Sequence, residues 1–141
     1  MVHNKEQQLL DDLGMLAEWT DRYEYIIDLG RRMEPYPDAL RTEDREVHGC
    51  QSQVWLDARL ESGRIHFQGD SNALITKGLV ALLIHLFSGC TPRELADASL
   101  AVVERAGLRE HLTLSRTNGM QAIFKRMKQH ASVFEHLEPT T

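Results

Sequence analysis

Leu9, Leu10, Leu13, Leu16 and Ala17 recur at helical spacing and predict a first amphipathic helix. Trp19, Tyr23, Ile26, Ile27 and Gly30 predict a second, with Thr20 as its N-cap, and the two are expected to pack as a short antiparallel pair. Glu34-Pro35-Tyr36-Pro37-Asp38 then breaks the pattern, because proline removes a donor and restrains the residue before it. From there to Gly49 the chain reads as a loop rich in Arg, Asp and Glu. The period next changes to two. Val54, Leu56, Ala58 and Leu60 alternate with Trp55, Asp57, Arg59 and Glu61, the mark of a half-buried strand. Ser62-Gly63 suits a tight hairpin turn, and Ile65 and Phe67 alternate with His66 and Gln68 on the returning strand. A third strand is expected around Arg45 to His48.

After the hairpin the helical period resumes. Asp70 or Ser71 is the expected N-cap of a helix over 73–87 that is apolar on nearly every face, and Gly89 is placed to end it. Thr91-Pro92-Arg93-Glu94 reads as a capping box with proline at the first helical position. A short helix follows, then another over Leu100 to Ala106 that Gly107 stops. Ser115 is the expected cap of a last helix, whose apolar stripe is Met120, Ile123, Phe124, Met127, Ala131 and Phe134. Glu138 to Thr141 are expected to fray. Helices, then strands, then helices, without repeats or an internal linker, predict an α+β fold. Residues 1–141 are expected to form a single domain, a small antiparallel three-stranded sheet packed against helices.

Composition narrows the function classes. A net charge of −5 argues against a nucleic-acid binder held by a basic surface. The longest apolar segment, Leu79 to Phe87, is far shorter than the ~20 residues of a membrane-spanning helix, and the N-terminus shows no signal-peptide pattern. Two cysteines are too few for a disulfide framework and read as free thiols of a reducing compartment, so a cytoplasmic location is expected.

The chemistry therefore centres on those cysteines. Cys50 lies in His48-Gly49-Cys50-Gln51-Ser52-Gln53-Val54-Trp55, at the end of the charged loop. It has two readings: a small residue packed into a loop, or a nucleophile whose thiolate Arg45 and His48 stabilise. Gly49 lets the backbone come close to another molecule. A metal site would take His48 and Cys50 with His66, His85, Cys90 or His111, but none has the paired spacing of zinc ligands. A cysteine enzyme, a hydrolase or thiol peroxidase with a histidine base, is the rival, although no second motif defines a triad. Cys90 reads as packing at a helix junction, and Trp19 and Trp55 as core anchors. Arg116, in the first turn after Ser115, sits awkwardly against the helix dipole, which points to an anionic partner such as a sulfur or carboxylate. Gly119 inside that helix costs about 1 kcal/mol against Ala and points to close packing there.

Four segments, YEYIIDLG (23–30), HGCQSQVW (48–55), GDSNALITKGLVALL (69–83) and SRTNG (115–119), together with Trp19, resemble the SufE family of sulfur-acceptor proteins, including its paralogue CsdE. The likeness runs from about Leu9 to His130, with the motifs in the family's order and spacing. It implies that Cys50 accepts persulfide sulfur from a pyridoxal-phosphate-dependent cysteine desulfurase of SufS or CsdA type, stimulates that enzyme, and passes sulfur towards iron–sulfur cluster assembly. On this reading the protein is a carrier rather than a stand-alone enzyme, with no cofactor of its own and no nucleic-acid or membrane partner. The resemblance also implies supporting or partner-facing roles for His48, Gly49, Gln51, Asp70 and Arg116, a partly shielded Cys50 that swings out on docking, and a fold like that of the IscU scaffold without its three-cysteine site. Gln51-Ser52-Gln53 looks like SufE, while Leu100 to His111 looks as much like CsdE, so the type of desulfurase stays open.

Overall fold

A computed structural model describes residues 2–108 and 112–137. Its elements are α1 (Val2–Gly14), α2 (Trp19–Arg31), β1 (Val54–Glu61), β2 (Arg64–Ser71), α3 (Leu74–Phe87), α4 (Pro92–Asp97), α5 (Ala101–Arg105) and α6 (Leu114–Leu137). The hairpin forms where the alternation places it. β1 and β2 pair antiparallel from Glu61↔Arg64 at the turn to Val54↔Ser71 at the open end. Ser62 and Gly63 take φ of 53° and 75°, the left-handed pair that a two-residue hairpin turn requires.

The sheet has two strands where three are expected. Glu43–Arg45 coil into a 3-10 turn, and Arg45 reaches across to Asp57, so only one isolated bridge, Glu46↔Trp55, remains of the third strand. The α+β class stands.

α3 is the centre of the molecule. Gly78 through Leu83, with Leu86 and Phe87, are buried along it. It joins a core that gathers Leu9 from α1, Ile26 from α2, Leu56 and Ile65 from the sheet, and Met120 and Met127 from α6. α2 lies against α3 through two glycines. A Cβ at Gly30 would stand 3.0 Å from the Gly78 nitrogen, and one at Gly78 only 2.3 Å from the Ile26 carbonyl oxygen. α1 packs on α3 and α5 and does not form the expected close pair with α2. Tyr25 Oη of α2 donates to Asp12 of α1 at 3.0 Å.

Helix ends differ from expectation in several places, and α5 is one residue shorter at each end than the expected Leu100 to Ala106. α1 stops at Gly14, leaving Leu16 and Ala17 in the connection, and α2 begins at Trp19 with Glu18 rather than Thr20 at the N-cap. β2 runs through Ser71, so α3 starts after Ala73, and neither Asp70 nor Ser71 is its N-cap. The last helix begins two residues early, and the N–H of Arg116 donates to Thr113 Oγ1 at 3.3 Å, so Thr113 caps it and not Ser115. The Thr91 capping box is present with both hydrogen bonds, and Gly107 (φ 73°) ends α5 in the left-handed conformation; α3 ends instead at an extended Ser88, and Gly89 (φ 92°) follows it with its N–H donating to the Ile65 carbonyl at 2.7 Å. His111 and Glu138 to Thr141 lie outside the described residues.

Candidate functional site

The loop between α2 and β1 is fastened by arginines before it reaches Cys50. Arg41 lies over the rings of Trp55 and Tyr36, with its guanidinium carbon 5.0 and 5.5 Å from their centroids, and donates to Asp70 Oδ2 at 2.6 Å. Asp70 also meets Lys77 Nζ at 3.3 Å and accepts from the Ser71 N–H at 2.8 Å. Burial alone would raise the pKa of this carboxyl. The bonds from Arg41 and Ser71 and the charge of Lys77 outweigh it and hold the group below the usual carboxylate range. Arg45 is committed to Asp57 at 3.0 Å, and Arg126 of α6 donates to the carbonyls of Asp44 and Glu46. Two clamps then close the base of the tip. The Val47 N–H donates to the Val54 carbonyl at 2.8 Å. On the other side Ser71 Oγ donates to the Gln53 carbonyl at 2.7 Å, and the Gln53 N–H donates to Asn72 Oδ1 at 3.2 Å.

Between the clamps the chain turns at Gly49, whose φ of 95° excludes most side chains and whose Cβ would meet Ala122 at 3.3 Å. That turn aims Cys50 inward. Its Sγ donates to the Gly119 carbonyl at 3.6 Å, a long, weak S–H···O contact. A Cβ on Gly119 would lie 3.4 Å from that sulfur, so the glycine inside α6 marks the place where the thiol packs. Cys50 thus sits half-buried in a cleft of about 340 Å³. Ile27, Leu79, Met120 and Ile123 give the cleft an apolar lining, and the first turns of α3 and α6 border it. Helix N-termini carry partial positive charge, which favours an anion between them.

Burial pushes the Cys50 thiol up from its ordinary pKa, and no opposing charge is among the causes. The sequence neighbours expected to activate it do not: Arg45 is engaged with Asp57, and His48 is exposed and does not line the cleft. Among the described residues, Arg116 is the charged group that lines the cleft, half-buried and with no side-chain hydrogen bond or ion pair. Among the described residues no histidine, aspartate or glutamate lines it with them. The resting thiol is therefore protonated, and no described residue stands beside it as a general base.

The remaining candidates are dispersed. Asp70 anchors the loop stem through Arg41 and does not line the cleft. Gln51 borders the cleft, and its Oε1 accepts from Ser115 Oγ at 3.0 Å. Cys90 is buried, 1% exposed, at the junction of α3 and α4, where its carbonyl accepts from the Ile65 N–H at 2.8 Å. Burial and the nearby Glu94 raise its thiol pKa, which fits packing rather than exchange. The residues proposed as metal ligands do not gather: among the described residues no group of three His, Cys, Asp or Glu side chains could hold a metal ion. Ser115 is a contact the sequence reading missed, because a cap and a cross-loop donor look alike in sequence. Gly119 carried a signal, a glycine that weakens its own helix. A larger cleft of about 630 Å³, bordered by Tyr25, Arg32, His66 and His85, shares no lining residue with the Cys50 cleft.

Fold and site define an α+β domain that holds one loop thiol against the first turns of two helices. The chain belongs to the SufE family: the model of the SufE Fe–S metabolism associated domain matches residues 7–131. A SufE-like protein of Rhizobium meliloti is 39% identical over 129 residues, covering 88% of this chain and 92% of that one. Another, of Synechocystis, is 42% identical over 114 residues, covering 81% and 72%. The solution structure of a hypothetical protein from Thermus thermophilus superposes with a TM-score of 0.76 at 22% identity, covering 92% of this chain and 94% of that one, which shows the fold. No helix among the described residues is long and apolar enough to cross a membrane.

Proposed function

We propose that the protein is a sulfur carrier whose Cys50 takes persulfide sulfur from a pyridoxal-phosphate-dependent cysteine desulfurase and delivers it for iron–sulfur cluster assembly. The observation that carries this reading is a loop thiol seated in an apolar cleft with no acid or base lining it among the described residues. A hydrolase or thiol peroxidase needs a base within hydrogen-bond reach of its nucleophile. A carrier needs a thiol that stays quiet until a partner draws it out.

The transfer follows thiol–disulfide exchange. Once out of the cleft, Cys50 regains ordinary acidity, and its thiolate attacks the outer sulfur of the desulfurase persulfide. A bond forms between Cys50 Sγ and that sulfur. The sulfur–sulfur bond on the desulfurase breaks, and its cysteine leaves with the electron pair and takes up the proton Cys50 lost. The products are a Cys50 persulfide and a regenerated desulfurase thiol, so removal of sulfur stimulates the next turnover. In the cleft, Arg116 and the two helix N-termini favour the persulfide anion, and the apolar lining keeps water and stray thiols away. Free cysteines suit a reducing, cytoplasmic setting.

Intact-mass measurement after incubation with a SufS- or CsdA-type desulfurase and cysteine is expected to show one added sulfur that a reductant removes. Cys50→Ser is expected to lose both the adduct and the stimulation of cysteine consumption. An adduct that persists in Cys50→Ser rejects the proposal.

A further inference from the structure

We infer that Gln51 and Ser115 form a latch that holds Cys50 in its cleft, so that both are positioning residues for the thiol. From His48 to Ser52 no residue makes a backbone–backbone hydrogen bond to another element among the described residues, while the clamps at Val47 and Gln53 hold the base. Besides the packing of Cys50 on Gly119, two polar contacts among the described residues tie this five-residue tip to α6. One is the weak Cys50 Sγ bond to the Gly119 carbonyl, 3.6 Å, and the other is the Ser115 Oγ bond to Gln51 Oε1, 3.0 Å. The second is the stronger, and it is surface-accessible, since Gln51 is exposed.

The latch is wired into the start of α6. A serine hydroxyl has one proton, and Ser115 gives its proton to Gln51. In the 3.3 Å pair between Thr113 Oγ1 and Ser115 Oγ the donor is therefore Thr113, which itself accepts from the Arg116 N–H at 3.3 Å. The chain runs Arg116 N–H to Thr113 to Ser115 to Gln51, each link polarising the next. A partner that supplies its own acceptor to Ser115, or its own donor to Gln51, opens the latch and frees the tip to turn at Gly49. The latch serves the sulfur-relay reading, but its geometry stands without it, and its test uses no desulfurase.

The test is the alkylation rate of Cys50 by iodoacetamide, followed peptide by peptide by mass spectrometry across pH in the full chain. Cys90, 1% exposed, serves in the same sample as the reporter of general loosening. Ser115→Ala and Gln51→Met are each expected to speed alkylation of Cys50 by about two- to tenfold, the range that one neutral hydrogen bond supports. The apparent pKa of the reaction is expected to fall as the thiol spends more time in water. The double variant is expected to be no faster than either single, because both remove the same bond. Ser115→Thr, which keeps the hydroxyl, is expected to stay within about twofold of the parent protein. No acceleration in either single variant, additive effects in the double, or Cys90 accelerating in step with Cys50 overturns the latch. Each of these leaves the Cys50→Ser result, and with it the relay, untouched.

Discussion

Asp70→Asn is expected to destabilise the fold by about 2–3 kcal/mol at neutral pH. The substitution keeps one oxygen to accept from the Ser71 N–H, removes the charge, and turns the oxygen facing Arg41 into an amide NH2 that cannot accept from it. Two cations then lose their partner: Arg41 at 2.6 Å and Lys77 at 3.3 Å. Breaking a fully buried pair costs about 3–5 kcal/mol, and an exposed one less than about 1 kcal/mol. The Asp70 side chain is 10% exposed, but Arg41 and Lys77 are 29% and 38% exposed, so water compensates part of the loss and the value falls between the two. Urea unfolding followed by circular dichroism measures it, and the equivalent drop in Tm is roughly 6–12 °C. The sign with pH is fixed. The folded-state pKa of Asp70 lies below its unfolded value, so its contribution is full above about pH 4 and is lost as pH falls through the lower folded value. The gap between parent and variant is therefore expected to close below about pH 4. A gap under about 0.5 kcal/mol at pH 7, or one unchanged at pH 3, would refute the anchor role and return Asp70 to a local, uncharged part in the chain reversal before α3.

Two further outcomes test the packing. Gly78→Ala would place a Cβ 2.3 Å from a backbone oxygen of α2, and that atom cannot move aside without the helix. Thermal unfolding is expected to show a net loss of at least about 2 kcal/mol, despite the gain of about 1 kcal/mol in helix propensity; a stabilised variant would mean that the two helices do not touch at the glycines. His130 lies between Phe67 and Phe134, with ring centroids 6.3 and 6.4 Å away, and its buried Nε2 has no hydrogen-bond partner. Burial, then the charge of Arg126, lowers its pKa, with Asp57 opposing. Its neutral form is the folded form, so stability falls as pH drops below the unfolded value of about 6.5, by at most about 1.4 kcal/mol per pH unit. His130→Phe is expected to flatten this slope in denaturant titrations between pH 7 and 5, and an unchanged slope would assign the loss elsewhere, His85 first.

What could be read ahead of the structure was what depends on near neighbours. The period-two run and Ser62-Gly63 are enough for the hairpin, and Thr91 with Glu94 is enough for its capping box, because each is settled within a few residues. The third strand does not form because Glu43–Arg45 close a 3-10 turn in which the Arg45 and Glu46 N–H groups donate to the Thr42 and Glu43 carbonyls and are spent before a ladder could use them. Asp70 looked like a cap because short acidic residues before helices usually are; its partner Arg41 lies in a loop that periodicity does not address. Cys50 is the sharpest case. Its position in the chain and its family likeness were visible, yet the neighbours that set its chemistry are not Arg45 and His48 beside it but Gly119 and Ser115 on the last helix.

The two clamps also set a length. Cys50 is three residues from Val47 and three from Gln53, and an extended chain spans about 3.3–3.6 Å per residue. With its base held, the cysteine backbone reaches no more than about 11 Å from either clamp, whatever unlatches it. The tip is a short tether, not a long arm. Any molecule that gives or takes sulfur must bring its reacting atom within that span of the clamps. Reach, rather than reactivity, then decides which sulfur Cys50 can meet.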